Sequence, residues 1–179
     1  MKTYQQFIKE SDEQIYKSVK RRMDKHQRYK SIISKHIDNL TDEDIEFVLD
    51  YNLSNGVEMG CALDPGVYKR PDILKHLLDH FHTVQKMSNP ITLYRILNVK
   101  SKEDINLRNV GKHYQISDVD LCNVLDFCDG WIVKVLADKK DINLDYMIRT
   151  NIEFPYEKEV TLKEYPEVDV IGVYHSKDV

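Results

Sequence analysis

The chain has 179 residues, 41% hydrophobic and 31% charged, with a formal net charge of −4. That length suffices for one domain with a real core, the composition is that of an ordinary globular protein, and the acidic balance argues against broad affinity for nucleic acid. No apolar run approaches membrane-spanning length, and no continuous apolar stretch near Met1 marks a secretory leader; Cys61, Cys122 and Cys128 are odd in number, lack metal-ligand spacing and read as reduced thiols.

Residues 1–10 form one short amphipathic segment, because Tyr4, Phe7 and Ile8 fall at i, i+3 and i+4. From about Asp12 to Asp38 the pattern is helical and basic, with Lys17, Lys20, Arg21, Arg22, Lys25, Arg28 and Lys30 crowded together. Ile15, Val19, Met23, Ile32, Ile33 and Ile37 give this helix a thin apolar stripe. A solvated helix explains the charge; contact with nucleic acid or a partner is the alternative. Thr41 is placed to cap a second helix with Asp42, Glu43 and Asp44 in its first turn, and Ile45, Val48 and Leu49 as its buried side. Residues 52–60, rich in Gly, Asn and Ser, read as a break. Pro71-Asp72 opens a third helix with Ile73, Leu74, Leu77, Leu78 and Phe81 inside. His76, His80 and His82 on that helix lack a Cys or carboxylate at zinc spacing and read as partly exposed helix residues, with no metal expected.

The period then changes from 3.6 to strands, at residues 91–99, 111–117, 131–136, about 157–162 and 168–174. Helices first and strands later predict an α+β fold: residues 11–90 as a mainly helical lobe and 91–179 as a β core, one domain in all. In the fourth strand, a start near Glu157 turns Glu157, Glu159 and Thr161 to one side and Lys158, Val160 and Leu162 to the other. Val160 and Leu162 claim the core, so two carboxylates face away from it side by side, either on a solvated face or for a chemical reason. Arg95 sits inside the apolar run Thr92-Leu93-Tyr94-Arg95-Ile96-Leu97. A guanidinium there either pairs with a carboxylate for structure or faces a cleft and holds an anion such as a phosphate.

Two resemblances rest on these residues. Met1 to Glu10, ending in Ile8-Lys9-Glu10, resembles the capsid-targeting peptide of internal head proteins of T-even-type phages, which is cut after a Leu/Ile-x-Glu sequence. Tyr94-Arg95, a strand ending in Ser117, and Glu157-x-Glu159 together resemble the arginine/Ser-Thr-Ser/Glu-x-Glu class of mono-ADP-ribosyltransferases over roughly residues 40–175. Tyr51 to Gly56, Ala62-Leu63, Phe127 and Trp131 to Leu136 are similar to flanking features of that class. The middle motif departs: Gln115-Ile116-Ser117 stands where the class has Ser-Thr-Ser, and only the last serine is kept.

The resemblance implies a two-sheet β core with an NAD cleft between the sheets, and transfer of ADP-ribose from NAD to arginine of a host protein. It implies Glu159 and Glu157 as the catalytic pair and Arg95, Tyr94, Ser117 and Gln115 around NAD. Phe154 and Tyr156 would meet the target protein. In the class, the first serine helps order the nicotinamide ribose and the catalytic glutamate. The head-peptide resemblance implies a monomeric effector of residues 11–179, stored inside the phage head and released into host cytoplasm, with no membrane or specific nucleic-acid contact. A catalytically inactive head protein, acting as an interaction or inhibitor module, is the alternative.

Overall fold

The structure, a computed structural model, describes residues 4–54, 70–108, 110–119, 129–155, 157–164 and 166–178, with residues 4–12 as backbone only. Asn55, Gly56, Ala62, Leu63, Phe127, Tyr156 and the three cysteines lie outside the described residues. The described residues form an α+β fold of four α-helices and five antiparallel strands. Helix α1 spans Tyr4–Ile33, α2 Asp42–Ser54, α3 Arg70–Lys86 and α4 Leu144–Glu153. Strands β1 Ile91–Leu97, β2 His113–Gln115, β3 Trp131–Ala137, β4 Glu159–Thr161 and β5 Val168–His175 make one sheet in the order β4-β2-β1-β3-β5.

Helix α1 runs through Glu10 without a break, as one helix of 30 residues. Neither Gly nor Pro interrupts that stretch, so nothing in the backbone chemistry stops the helix at Glu10. At 1.5 Å per residue α1 is roughly 45 Å long and α2 roughly 20 Å, so α1 outruns the neighbour it packs on. Among its described side chains, residues 13–33, only Tyr29 and Ile32 at the C-terminal end are buried. Tyr29 stacks on Tyr51 of α2 at 4.3 Å and its hydroxyl donates to Asp145 of α4, while Arg28 lies 4.1 Å over the Phe47 ring. The expected stripe of Ile15, Val19 and Met23 stays exposed, because it lies about a third of a turn round the helix from Tyr29 and Ile32.

The start of α2 follows the sequence closely. Asp44 N donates to Thr41 Oγ1 (3.2 Å) and Thr41 N donates back to Asp44 Oδ2 (3.1 Å), a reciprocal cap, and Lys35 Nζ adds an ion pair to Asp44 at 2.6 Å. The helix continues two residues past the break expected at Asn52, whose Nδ2 bonds Val48 O within the last turn. One helix was not anticipated. Asn143 caps α4 by accepting from Tyr146 N, and Leu144, Met147, Ile148 and Ile152 give it a buried face.

Ile91, Leu93, Val133, Val135, Tyr114 and Val160 from the strands join Leu49, Leu77, Phe81, Met147 and Ile148 from the helices in one buried cluster. Where two sheets were expected, the described strands make one. Its seam is narrow, however. The β1–β2 ladder registers at Tyr94↔Gln115, whereas β1 and β3 pair along seven positions from Ile91↔Ala137 to Leu97↔Trp131. Past the seam, Arg95 Nη1 donates to His113 O (3.2 Å) where a ladder bond would otherwise fall.

Candidate active site

A cleft of about 190 Å3 opens at that seam, lined by Arg95, Ile96, His113, Tyr114, Gln115 and Glu159. The strands carrying the first, middle and last of the sequence-predicted motifs, β1, β2 and β4, are thus neighbours in the sheet. A larger hollow of about 720 Å3 opens beside Pro90, Leu136, Asp138 and Asp169, but no site residue anticipated from sequence borders it. The smaller cleft, where the chemistry converges, is the candidate site.

Glu159 is the best-anchored residue of the cleft. His113 pairs with Thr161 and Gln115 with Glu159 across β2 and β4, so these four side chains share one face. Thr161 Oγ1 donates to Glu159 Oε1 (2.7 Å), and His113 Nδ1 lies 2.6 Å from the same oxygen. The backbone of Glu159 is clamped as well. Asn151 of α4 accepts from Glu159 N (3.0 Å) and donates to Glu159 O (2.7 Å), so its amide acts as a miniature strand partner on the sheet edge. Asn151 Nδ2 also donates to Met147 O (2.7 Å), fixing the clamp to its helix.

His80 approaches the same carbonyl from α3, with Nε2 3.0 Å from Glu159 O. It is buried, which corrects the expectation of a partly exposed helix histidine, and its Nδ1 has no partner. Burial pushes its pKa down to about 4; the Glu159 carbonyl opposes the shift and Lys158 adds to it. His80 is therefore neutral near pH 7, donating through Nε2. His82 instead meets Asp42 at 2.7 Å, so the histidine trio disperses rather than converging.

Glu157 differs from expectation. Strand β4 begins at Glu159, and Lys158 has a left-handed φ of +49°, so the two-residue alternation breaks before Glu157. Glu157 sits on a half-buried turn, its N–H donating to Phe154 O (3.1 Å). Burial raises its pKa, and the charges of Glu159 and Glu153 raise it further. The face that Glu159 and Thr161 share is not solvated either, for Thr161 is fully buried. Phe154 closes the end of α4 with its ring exposed.

The opposite wall is less complete. Arg95 Nε is buried without a partner, and so is Gln115 Oε1. Gly111 has φ +85°, a conformation that favours glycine, and lies so close under the guanidinium that an added Cβ would stand 2.4 Å from Nη1 and push the arginine aside. Tyr114 lies behind it with its hydroxyl donating to Gly111 O (2.8 Å), and burial raises its pKa to about 12 against the opposing charge of Arg95. Tyr94 faces Gln115 across the seam, with Lys134 Nζ 5.5 Å from its ring. Ser117 falls two residues past the end of β2, half-buried and outside the cleft lining.

Sequence reasoning named Arg95, Gln115 and Glu159 but missed His80, His113 and Asn151. The period-two pattern that pointed to Glu159 carries one usable signal, a histidine two residues before Gln115 on the same strand face. In comparisons with family models, with curated proteins and with solved structures, nothing matches this chain.

Proposed function

We propose that this chain is a mono-ADP-ribosyltransferase of the class it resembles, transferring ADP-ribose from NAD to arginine of a host protein. The observation that carries this reading is convergence: Arg95, Gln115 and Glu159, far apart in sequence, border one cleft. The cleft fits part of the substrate. Its unpartnered Arg95 Nε is a donor for a phosphate oxygen and its unpartnered Gln115 Oε1 an acceptor for a hydroxyl or amide. At about 190 Å3 it is smaller than the roughly 300–1,000 Å3 of whole small-molecule pockets, so it suits the nicotinamide-ribose end of the dinucleotide. In this reading the seam beyond Tyr94↔Gln115 is the line between two sheets of the class's core.

In the reaction the bond from the ribose to the nicotinamide nitrogen breaks, and its electron pair leaves with neutral nicotinamide. Positive charge builds on the ribose, as in glycoside cleavage. A fixed carboxylate binds that charge more strongly as it develops, which is the role of Glu159. The acceptor guanidinium nitrogen forms the new bond and releases a proton. Glu157, made more basic by burial and its glutamate neighbours, takes that proton. Phe154, exposed beside it, and Tyr156 meet the target protein.

The same proposal takes Ile8-Lys9-Glu10 as a processing site. Cleavage there shortens α1 rather than freeing a separate lobe. The remainder is a phage effector carried in the head and released into the host. Exposed Ile15, Tyr16, Val19 and Met23 beside the basic residues of α1 favour a second reading, a non-enzymatic head protein that binds a partner. Labelled NAD incubated with bacterial lysate separates the two. Label on protein and nicotinamide release are expected, and Glu159→Gln should lower both by roughly 10²–10³, the usual cost of losing one preorganised electrostatic contact. Absence of both from the unaltered protein sinks the enzyme reading.

A further inference from the structure

The departure at Gln115 leaves a question of who holds Glu159, and the cleft answers it. Gln115 stands directly across from Glu159 in the ladder, yet its Oε1 is buried and unpaired. The carboxylate is instead held from the neighbouring pair. His113 and Thr161 face each other across β2 and β4, and both reach the same atom, Glu159 Oε1, at 2.6 and 2.7 Å. Diagonal neighbours in an antiparallel ladder are about 7–8 Å apart, within reach of a histidine. Two donors on one oxygen fix the carboxylate rotamer. Among the described residues neither bonds Oε2, which stays available to a substrate.

We propose that His113 is the positioning residue for Glu159, aiming the carboxylate at the ribose while leaving Gln115 to bind substrate; this rests on the transferase reading above. A neutral imidazole serves through its Nδ1–H, and the bond it donates to a carboxylate is of the charge-assisted, stronger kind. His113 is nearly half exposed, so its side chain contributes little to the core, and its effect falls on the carboxylate rather than on the fold.

The test uses the full chain with His113→Ala, His113→Asn and Thr161→Val, measuring nicotinamide release, label on protein and Tm for each. An asparagine Nδ2 can donate from near the place of the imidazole Nδ1. His113→Ala should lower kcat by roughly 10- to 100-fold, the scale of a misaimed catalytic group, with KM for NAD changed less than about threefold. Hydrolysis and protein labelling should fall together, because both pass through the ribose cation. His113→Asn should recover most of kcat, and Thr161→Val should fall in between. If the unaltered protein is active and His113→Ala keeps full kcat, the positioning role is overturned while the transferase reading stands. A lowered Tm that accounts for the whole loss, with kcat per folded molecule unchanged, overturns it too, as does failure of asparagine to restore kcat in a folded variant. An unaltered protein that releases no nicotinamide takes down the transferase reading and this role with it.

Discussion

The two walls of the cleft are built differently. On the β4 wall every bond to Glu159 is supplied from within the protein: His113 and Thr161 to its carboxylate, Asn151 and His80 to its backbone. On the β1–β2 wall, Arg95 Nε and Gln115 Oε1 are buried with nothing to bond. A buried unpaired polar group costs roughly 1–3 kcal/mol, so the second wall stores free energy that a ligand in the cleft could recover, whereas the unpaired atom of the first wall, His80 Nδ1, lies outside the cleft lining. The difference separates a group held ready for charge from groups held ready for contact. It is the pattern expected where a carboxylate must be preorganised and a substrate bound beside it.

The largest expected effect tests the anchored wall. His80 has a pKa lowered to about 4 by burial, against about 6.5 in an unfolded chain. Between those values the unfolded chain takes up a proton that the native protein refuses. Stability should therefore be intact above pH ~6.5 and fall as pH drops towards ~4, by about 3 kcal/mol in all. Because His80 supports Glu159 O, the loss should appear first as faster amide exchange at β4. His80→Leu should flatten the slope, and the other histidines remain in that variant, so the difference between the two urea series belongs to His80. Parallel slopes from pH 6.5 to 4 would contradict the assignment.

How much of this wall could be read beforehand follows from where its parts lie in the chain. Val160 and Leu162 identified the buried side of β4, and thereby the side of Glu159, because strand alternation is local. The Thr41 cap and the apolar spacing of α2 and α3 were equally local and legible. His80 and Asn151 were not, since each meets Glu159 from a different helix, and sequence spacing gives no sign of that meeting. Glu157 was misplaced for a local reason that composition hides: a lysine in a left-handed conformation, which the pattern of a strand does not foretell. The stripe of α1 was legible but its exposure was not, because periodicity reports that a face exists, not whether anything covers it.

A smaller effect tests the open wall. Arg95→Lys keeps a positive charge but removes Nε and the planar fork. If the unpartnered Nε awaits a phosphate, isothermal titration with NAD should show about tenfold weaker binding, roughly 1.4 kcal/mol. The native fold should persist, since the bond to His113 O is within reach of a lysine and the crowded Gly111 is relieved rather than strained. Unchanged NAD affinity together with a marked fall in Tm would mean that Arg95 ties β1 to β2 and nothing more.

The smallest effect on stability belongs to Glu157, which lies on neither wall, and it separates the two glutamates. Its pKa is raised in the native protein by burial and by the charges of Glu159 and Glu153. A carboxyl with a raised native pKa is unfavourable when ionised, so its cost to the fold is present above its unfolded pKa of about 4.3 and disappears below it. Glu157→Gln should therefore stabilise slightly at pH 7, within about 0.5 kcal/mol for a half-buried turn, and be neutral near pH 4. Its effect on activity should be selective. Glu159 acts on the ribose and is needed for every outcome of NAD cleavage, whereas Glu157 acts on the acceptor. In Glu157→Gln, protein labelling should drop by roughly 10²–10⁴, the usual range for a lost proton acceptor, while nicotinamide release to water persists. The measurement is nicotinamide release beside label on protein in one reaction. Equal loss of both would give the two glutamates a single job at the ribose and erase the distinction between them.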